Sequence, residues 1–120
     1  MINLGNVLTA MVTPFKADGS VDYPLAEKLA VHLCANGSDG LVIHGTTGES
    51  PTLTHEEEYE LYRVVKQAIS GKGKIIAGTG SNSTATTIKS TQLAEKIGVD
   101  GIMVVVPYYN KAWLEGLFLL

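Results

Sequence analysis

Gly37-Ser38-Asp39-Gly40-Leu41-Val42-Ile43 and Gly98-Val99-Asp100-Gly101-Ile102-Met103-Val104 spell one phrase twice, G-x-D-G followed by apolar residues. Each copy follows a segment with helical spacing. Gly37 and Gly98 therefore suit left-handed helix C-caps, where the missing Cβ removes a steric cost. The Asp-Gly pair then turns the chain into a short β-branched run. Read this way, the phrase is a joint between a helix and the next strand, and its recurrence points to a repeated βα unit.

Working outward, Val7-Leu8-Thr9-Ala10-Met11-Val12 and Ile75-Ile76-Ala77 join Leu41-Val42-Ile43 and Ile102-Met103-Val104-Val105-Val106 as four candidate strands. Their apolar residues are continuous rather than alternating, as in strands buried on both faces. The clearest helix between them has Leu61, Val64, Val65 and Ala68 on one face, with Glu57, Glu60, Arg63 and Lys66 towards water. Thr54 and Glu57 have the spacing of a capping box, and Glu56, Glu57 and Glu58 fill the first turn, where the helix dipole favours negative charge. That acidic run reads as helix-end electrostatics rather than as a metal site. Strand and helix alternating through short joins implies parallel strands and right-handed crossovers.

About four βα units fit into residues 1–120, the last barely begun, with no linker dividing them. The apolar finish Leu117-Phe118-Leu119-Leu120 carries no cap, so the expectation is a single domain truncated after its fourth strand. Two architectures suit the rhythm, an open doubly wound sheet and half of a closed barrel, and spacing alone does not choose.

With 120 residues, 45% of them apolar and 18% charged, the chain has material for one soluble core. A net charge of -3 without a basic cluster argues against nucleic acid as a partner. No run of about 18 apolar residues suggests a membrane span, and no secretory signal opens the chain. The lone Cys34 fits a reducing compartment, so a cytoplasmic location is expected, and the sequon Asn82-Ser83-Thr84 is discounted.

Ligands of parallel α/β proteins bind at the C-terminal ends of the strands, and three loops leave those ends here. Gly45-Thr46-Thr47-Gly48-Glu49-Ser50-Pro51 offers two hydroxyls and a carboxylate on a glycine-framed turn, which suits binding a carboxylate or passing protons. It lacks the Gly-Lys-Ser/Thr of a phosphate loop, and threonines capping a plain turn would explain it equally well. Ala77-Gly78-Thr79-Gly80-Ser81-Asn82-Ser83 has only two glycines of a dinucleotide fingerprint, too few for NAD; Ser83 suits a helix cap. Pro107-Tyr108-Tyr109-Asn110-Lys111 presents two tyrosines, suited to proton relay or to packing at an interface. His32 and His55 read as surface residues, and His44 as a hydrogen-bonded structural histidine at a strand end. No histidine pair has the spacing of a zinc motif, so no metal or other cofactor is expected.

Taken in order, Thr13-Pro14-Phe15, the Gly45–Ser50 loop, Ile76-Ala77-Gly78-Thr79-Gly80-Ser81-Asn82 and Pro107–Lys111 resemble the pyruvate-dependent aldolase superfamily, within it the dihydrodipicolinate synthases. N-acetylneuraminate lyases and 2-keto-3-deoxygluconate aldolases share the Gly-x-Thr-Gly-Glu loop, whereas the Ala-Gly-Thr-Gly and Pro-Tyr-Tyr-Asn loops favour the synthases. The resemblance implies an α/β fold that is the N-terminal half, about four βα units, of a TIM (β/α)8 barrel. It implies a lyase of lysine and diaminopimelate biosynthesis that condenses pyruvate with aspartate semialdehyde through a lysine Schiff base, as a homo-oligomer.

By match, Thr46 and Thr47 would meet the pyruvate carboxylate, Thr46 would also serve catalysis, and Tyr109 would complete a relay across a dimer interface. Ser50, His55, Glu58, Asn82 and Tyr108 match the region where many members bind lysine as an inhibitor, with Pro51 and Thr86 at positions that vary. The imine-forming lysine is expected beyond these residues, so 120 residues alone would be inactive, or would act as a self-associating half-barrel scaffold. Ala112-Trp113-Leu114 depart from the family's usual proline and Gln-Glu-Gly-Leu continuation.

Overall fold

The computed structural model describes residues 3–111 and 113–119; Ala112 and Leu120 of the divergent tail lie outside them. In chain order the elements are β1 (Leu8–Ala10), α1 (Tyr23–Ala35), β2 (Gly40–Ile43), α2 (His55–Ile69), β3 (Lys74–Gly78), α3 (Thr84–Ile97), β4 (Gly101–Met103) and a short α4 (Leu114–Phe118). Two 3-10 turns, Thr46–Gly48 and Ser50–Thr52, fill the connection from β2 to α2.

All strand pairs are parallel and the sheet runs β1-β2-β3-β4 without a reversal. A doubly wound sheet changes direction at a switch point and places helices on both faces. Here the strands follow chain order, α1 packs on α2 and α2 on α3, and the chain forms a slab 42 × 40 × 22 Å. One sheet and one helical layer account for the thin dimension. The singly wound order selects the barrel-type reading and rules out the doubly wound one.

The core lies between sheet and helices. Leu41 and Ile43 of β2 and Ile75 and Ala77 of β3 are buried with Leu61, Tyr62, Val65 and Ile69 of α2 and Ala26 and Ala30 of α1. α2 starts on the expected capping box: Thr54 Oγ1 accepts from the Glu57 amide at 3.2 Å, and Glu57 Oε2 from the Thr54 amide at 2.9 Å. Gly98 caps α3 at φ +75°, and Gly37 follows the α1 cap at φ +106°.

The aspartates of the repeated phrase do more than turn the chain. Asp39 Oδ2 accepts from the amides of Asn6 and Val7 at 2.7 and 2.9 Å, gripping the entry to β1. Asp100 does the same two βα units later, accepting from the Ile75 amide at 3.0 Å and from Lys74 Nζ at 3.1 Å. In both copies the carboxylate joins its own strand to the start of the preceding one.

The outer strands are shorter than the sequence suggests. β4 covers Gly101–Met103 instead of Ile102–Val106, and Val104, Val105 and Val106 are exposed. β1 covers Leu8–Ala10 instead of Val7–Val12, although the Met11 amide still donates to Val42 O at 3.0 Å. Each of these strands has a neighbour on one side only, and ladder hydrogen bonds fade where no second strand holds the backbone extended.

Candidate functional site

The loops at the C-terminal ends of β2, β3 and β4 gather on one side of the sheet. Thr46 and Thr47 sit side by side on the first 3-10 turn, both exposed. That turn is held from below: Thr13 Oγ1, on the loop after β1, donates to Gly48 O at 2.7 Å. Glu49 follows in the left-handed region at φ +57°, between the two turns. A non-glycine residue in that region costs backbone energy, and such strain clusters where loop geometry matters.

Beside the turn lies a cavity of about 550 Å³ between α2, α3 and the loops. Ser50, His55, Glu58 and Tyr108 all line it, together with Pro51 and Thr86. The structure therefore brings together four of the five residues of the expected inhibitor region. Asn82 is the exception. It is exposed and does not line the cavity; its carbonyl oxygen accepts from Asn110 Nδ2 at 2.5 Å, joining the second loop to the third.

Glu58 corrects the reading of the acidic run. It is 1% exposed, so it is no simple partner of the helix dipole. Its Oε2 accepts from His55 Nδ1 at 3.0 Å and from Ser90 Oγ of α3 at 3.0 Å, and its Oε1 accepts from the Tyr62 hydroxyl at 3.1 Å. A buried carboxylate needs such donors to offset its desolvation. Burial and, next, the neighbouring Glu58 push the Tyr62 phenol far above its ordinary value, which keeps it a hydroxyl donor. His55 is also corrected: it is half-buried against Glu58 rather than a free surface residue.

His44 directly follows β2, and its Nδ1 lies 3.0 Å from Gly78 O, the hydrogen-bonded arrangement expected. Tyr62 and Ser90 complete the Glu58 cluster without standing out in the sequence. His55, Glu58 and Tyr62 do share one helix face by their i, i+3, i+7 spacing, a signal present in the sequence; Ser90 comes from another helix and has no local signature.

The two tyrosines diverge as expected of adjacent residues. Tyr108 lines the cavity, while Tyr109 is 95% exposed at φ +65° and meets Tyr108 edge to face at 6.2 Å. Tyr109 and Thr46 share no hydrogen bond among the described residues. Neither of two notable lysines is a free nucleophile inside the site: Lys74 pairs with Asp100 at the N-terminal end of β3, and Lys111 is exposed. Among the described residues no group of three His, Cys, Asp or Glu side chains is arranged to hold a metal ion, and no helix is long and apolar enough to cross a membrane.

Residues 3–118 match the dihydrodipicolinate synthetase family. A 4-hydroxy-tetrahydrodipicolinate synthase from a Synechocystis species is 66% identical over 94% of this chain and 38% of its own length. Among solved structures, a dihydrodipicolinate synthase from Bacillus anthracis superposes with a TM-score of 0.95 at 48% identity, covering 99% of this chain and 41% of that one. The enzyme from Cyanidioschyzon merolae, solved with lysine bound, gives 0.93 at 56% identity, over 97% and 40%. The chain thus spans about two fifths of the length of the relatives it matches, and its four βα units correspond to the N-terminal half of their (β/α)8 barrel.

Proposed function

We propose, since this chain belongs to the dihydrodipicolinate synthetase family, that it supplies the carboxylate-binding half of a lyase site that joins pyruvate to aspartate semialdehyde. The observation that carries the proposal is the paired hydroxyls of Thr46 and Thr47, exposed at the strand ends on a turn braced by Thr13. Hydroxyls fixed in this way can donate to a substrate carboxylate and pass a proton to an adjacent atom. Thr46 takes both parts, Thr47 binds, and Tyr109 contributes its phenol to the relay of a neighbouring subunit in a homo-oligomer. The enzyme works in the cytoplasm, in lysine and diaminopimelate biosynthesis, and needs no cofactor.

The imine requires a lysine that loses its proton in a dry pocket. Lys74 is tied to Asp100, and Lys111 stands in water, so neither serves. That lysine belongs to a later strand of the barrel, and residues 1–120 form one partial barrel domain without activity of their own. The test is reductive trapping. The 120-residue chain, incubated with pyruvate and borohydride, keeps its mass; a trapped adduct would overturn the proposal.

The large cavity is the binding place for lysine as an inhibitor. Its lining carries the Glu56 and Glu58 carboxylates, the Ser50 and Tyr108 hydroxyls and the Lys89 ammonium, which complement the ammonium groups and the carboxylate of lysine. Asn82 stands at the rim through its bond to Asn110. Calorimetric titration with lysine measures this directly, and Ser50→Ala and Tyr108→Phe are expected to weaken binding about tenfold each.

A further inference from the structure

Asn36 and Gly37 stand together at the joint between α1 and β2, both exposed. Asn36 is the C-cap of α1 at φ -110° and ψ 26°, and its Nδ2 donates to His32 O at 2.7 Å. That bond satisfies one of the carbonyls a helix end leaves open. Gly37 follows at φ +106°, with no atom within 4 Å of the position a Cβ would take. The Asn36 and Ser38 amides on either side donate back to α1, whereas the Gly37 amide donates to no backbone carbonyl among the described residues.

An asparagine side chain lies one bond short of a five-membered ring with the next amide nitrogen. A Cβ on that next residue would crowd the ring, and Gly37 has none. We propose that Asn36-Gly37 is a spontaneous modification site, and that its conversion loosens the hold of this joint on β1. The attack starts when Asn36 releases His32 O, which fraying of an exposed last turn allows. The deprotonated Gly37 nitrogen then attacks Asn36 Cγ: the N–Cγ bond forms, the Cγ–Nδ2 bond breaks, and Nδ2 leaves as ammonia. One water opens the cyclic imide. Opening at Cγ leaves aspartate; opening at the main-chain carbonyl leaves isoaspartate, whose backbone runs through Cγ and is one methylene longer. Ammonia leaves, water enters, and nothing is oxidised or reduced.

Either product loses the donor to His32 O and sets a negative charge against the C-terminal carbonyls of α1, where the dipole disfavours it. Just beyond, Ser38 Oγ meets Thr9 Oγ1 of β1 at 2.6 Å, and Asp39 Oδ2 accepts from the Asn6 and Val7 amides. A longer backbone displaces both anchors, and β1 pairs only with β2 in the sheet. The second joint is a control within the molecule: Ile97 precedes Gly98 there and carries no amide, while Asp100 grips Ile75.

Ageing the purified 120-residue chain in warm, mildly alkaline buffer, followed by peptide mapping, tests the chemistry. The Asn36 peptide is expected to gain about one dalton and to split into aspartyl and isoaspartyl forms. Its conversion should exceed that at Asn82, an exposed asparagine followed by Ser83, by about tenfold. An Asn36 peptide that converts no faster than the Asn82 peptide would overturn the site. Asn36→Gln keeps an amide but does not close the five-membered ring, and that peptide should hold its mass. The aged chain, separated from the fresh one by its added negative charge, tests the consequence. Amide exchange at Asn6 and Val7 is expected to rise about tenfold in the aged form, with Ile75 unchanged. Equal exchange at Asn6 and Val7 in both forms, or an equal rise at Ile75, would sink the loosening of β1.

Discussion

Three donors converge on the Glu58 carboxylate, and truncating that side chain removes the acceptor they share. Buried Ser90 loses its carboxylate acceptor, buried Tyr62 keeps only its longer contact to Gly78 O at 3.3 Å, and His55, half-buried, can turn towards water. Glu58→Ala is therefore expected to destabilise the chain by about 3 kcal/mol, read as a lower urea midpoint, with Glu58→Gln costing less because one acceptor remains. Asp39 gives a pH prediction of known sign. The Val7 and Asn6 amides hold its carboxyl below the ordinary carboxylate value of 3.8. A depressed folded value means the grip on β1 is fully present above about pH 4 and is lost as pH falls through the folded value. The amide resonances of Asn6 and Val7 should shift together in that acid window, and Asp39→Asn should abolish the shift. Neither role was fully legible in the sequence. The Asp-Gly phrase announced a turn, but its carboxylate bonds a residue more than thirty positions away in one copy and about twenty-five in the other, and local rules carry no such contact.

Elements were far easier to read, because periodicity and caps are local. The capping box at Thr54, the left-handed glycines after α1 and α3, and the helical face of Leu61, Val64 and Val65 all follow from residue spacing. Thr54→Ala is expected to cost about 1 kcal/mol in chemical denaturation, the usual penalty for losing an N-cap. Strand lengths were the weak point. Hydrophobicity marks which residues suit a strand, but pairing decides where the ladder stops, and only β2 and β3 have a neighbour on each side. Between those two strands the approach is close. A Cβ at Gly78 would lie 2.4 Å from His44 O and 2.9 Å from the Gly45 nitrogen, with no flexible side chain to give way. Gly78→Ala should thus cost more than the lost cap, about 2 kcal/mol or above, and denaturation of both variants side by side checks the order.

At the scale of the whole molecule, the same singly wound order that identifies the barrel leaves its two ends open. β1 and β4 each pair on one side, and exposed apolar side chains stand at both: Val7, Leu8 and Val12 at one, Ile102, Met103 and Val104 at the other. Unpaired parallel edges attract any strand that offers the matching ladder. A second copy offers it twice under two-fold symmetry, β4 against the partner's β1 and the reverse. A preparation of these 120 residues is therefore expected to associate, its weight-average mass rising above 12.8 kDa as concentration increases towards about 100 μM. Sedimentation equilibrium measures that rise. Ile102→Lys places a charge on the open edge of β4 and should move the curve back towards the monomer without changing the helical circular dichroism. A wild-type chain that stays monodisperse and monomeric across the range would contradict the open-edge argument, because the exposed apolar residues would then be covered within one chain.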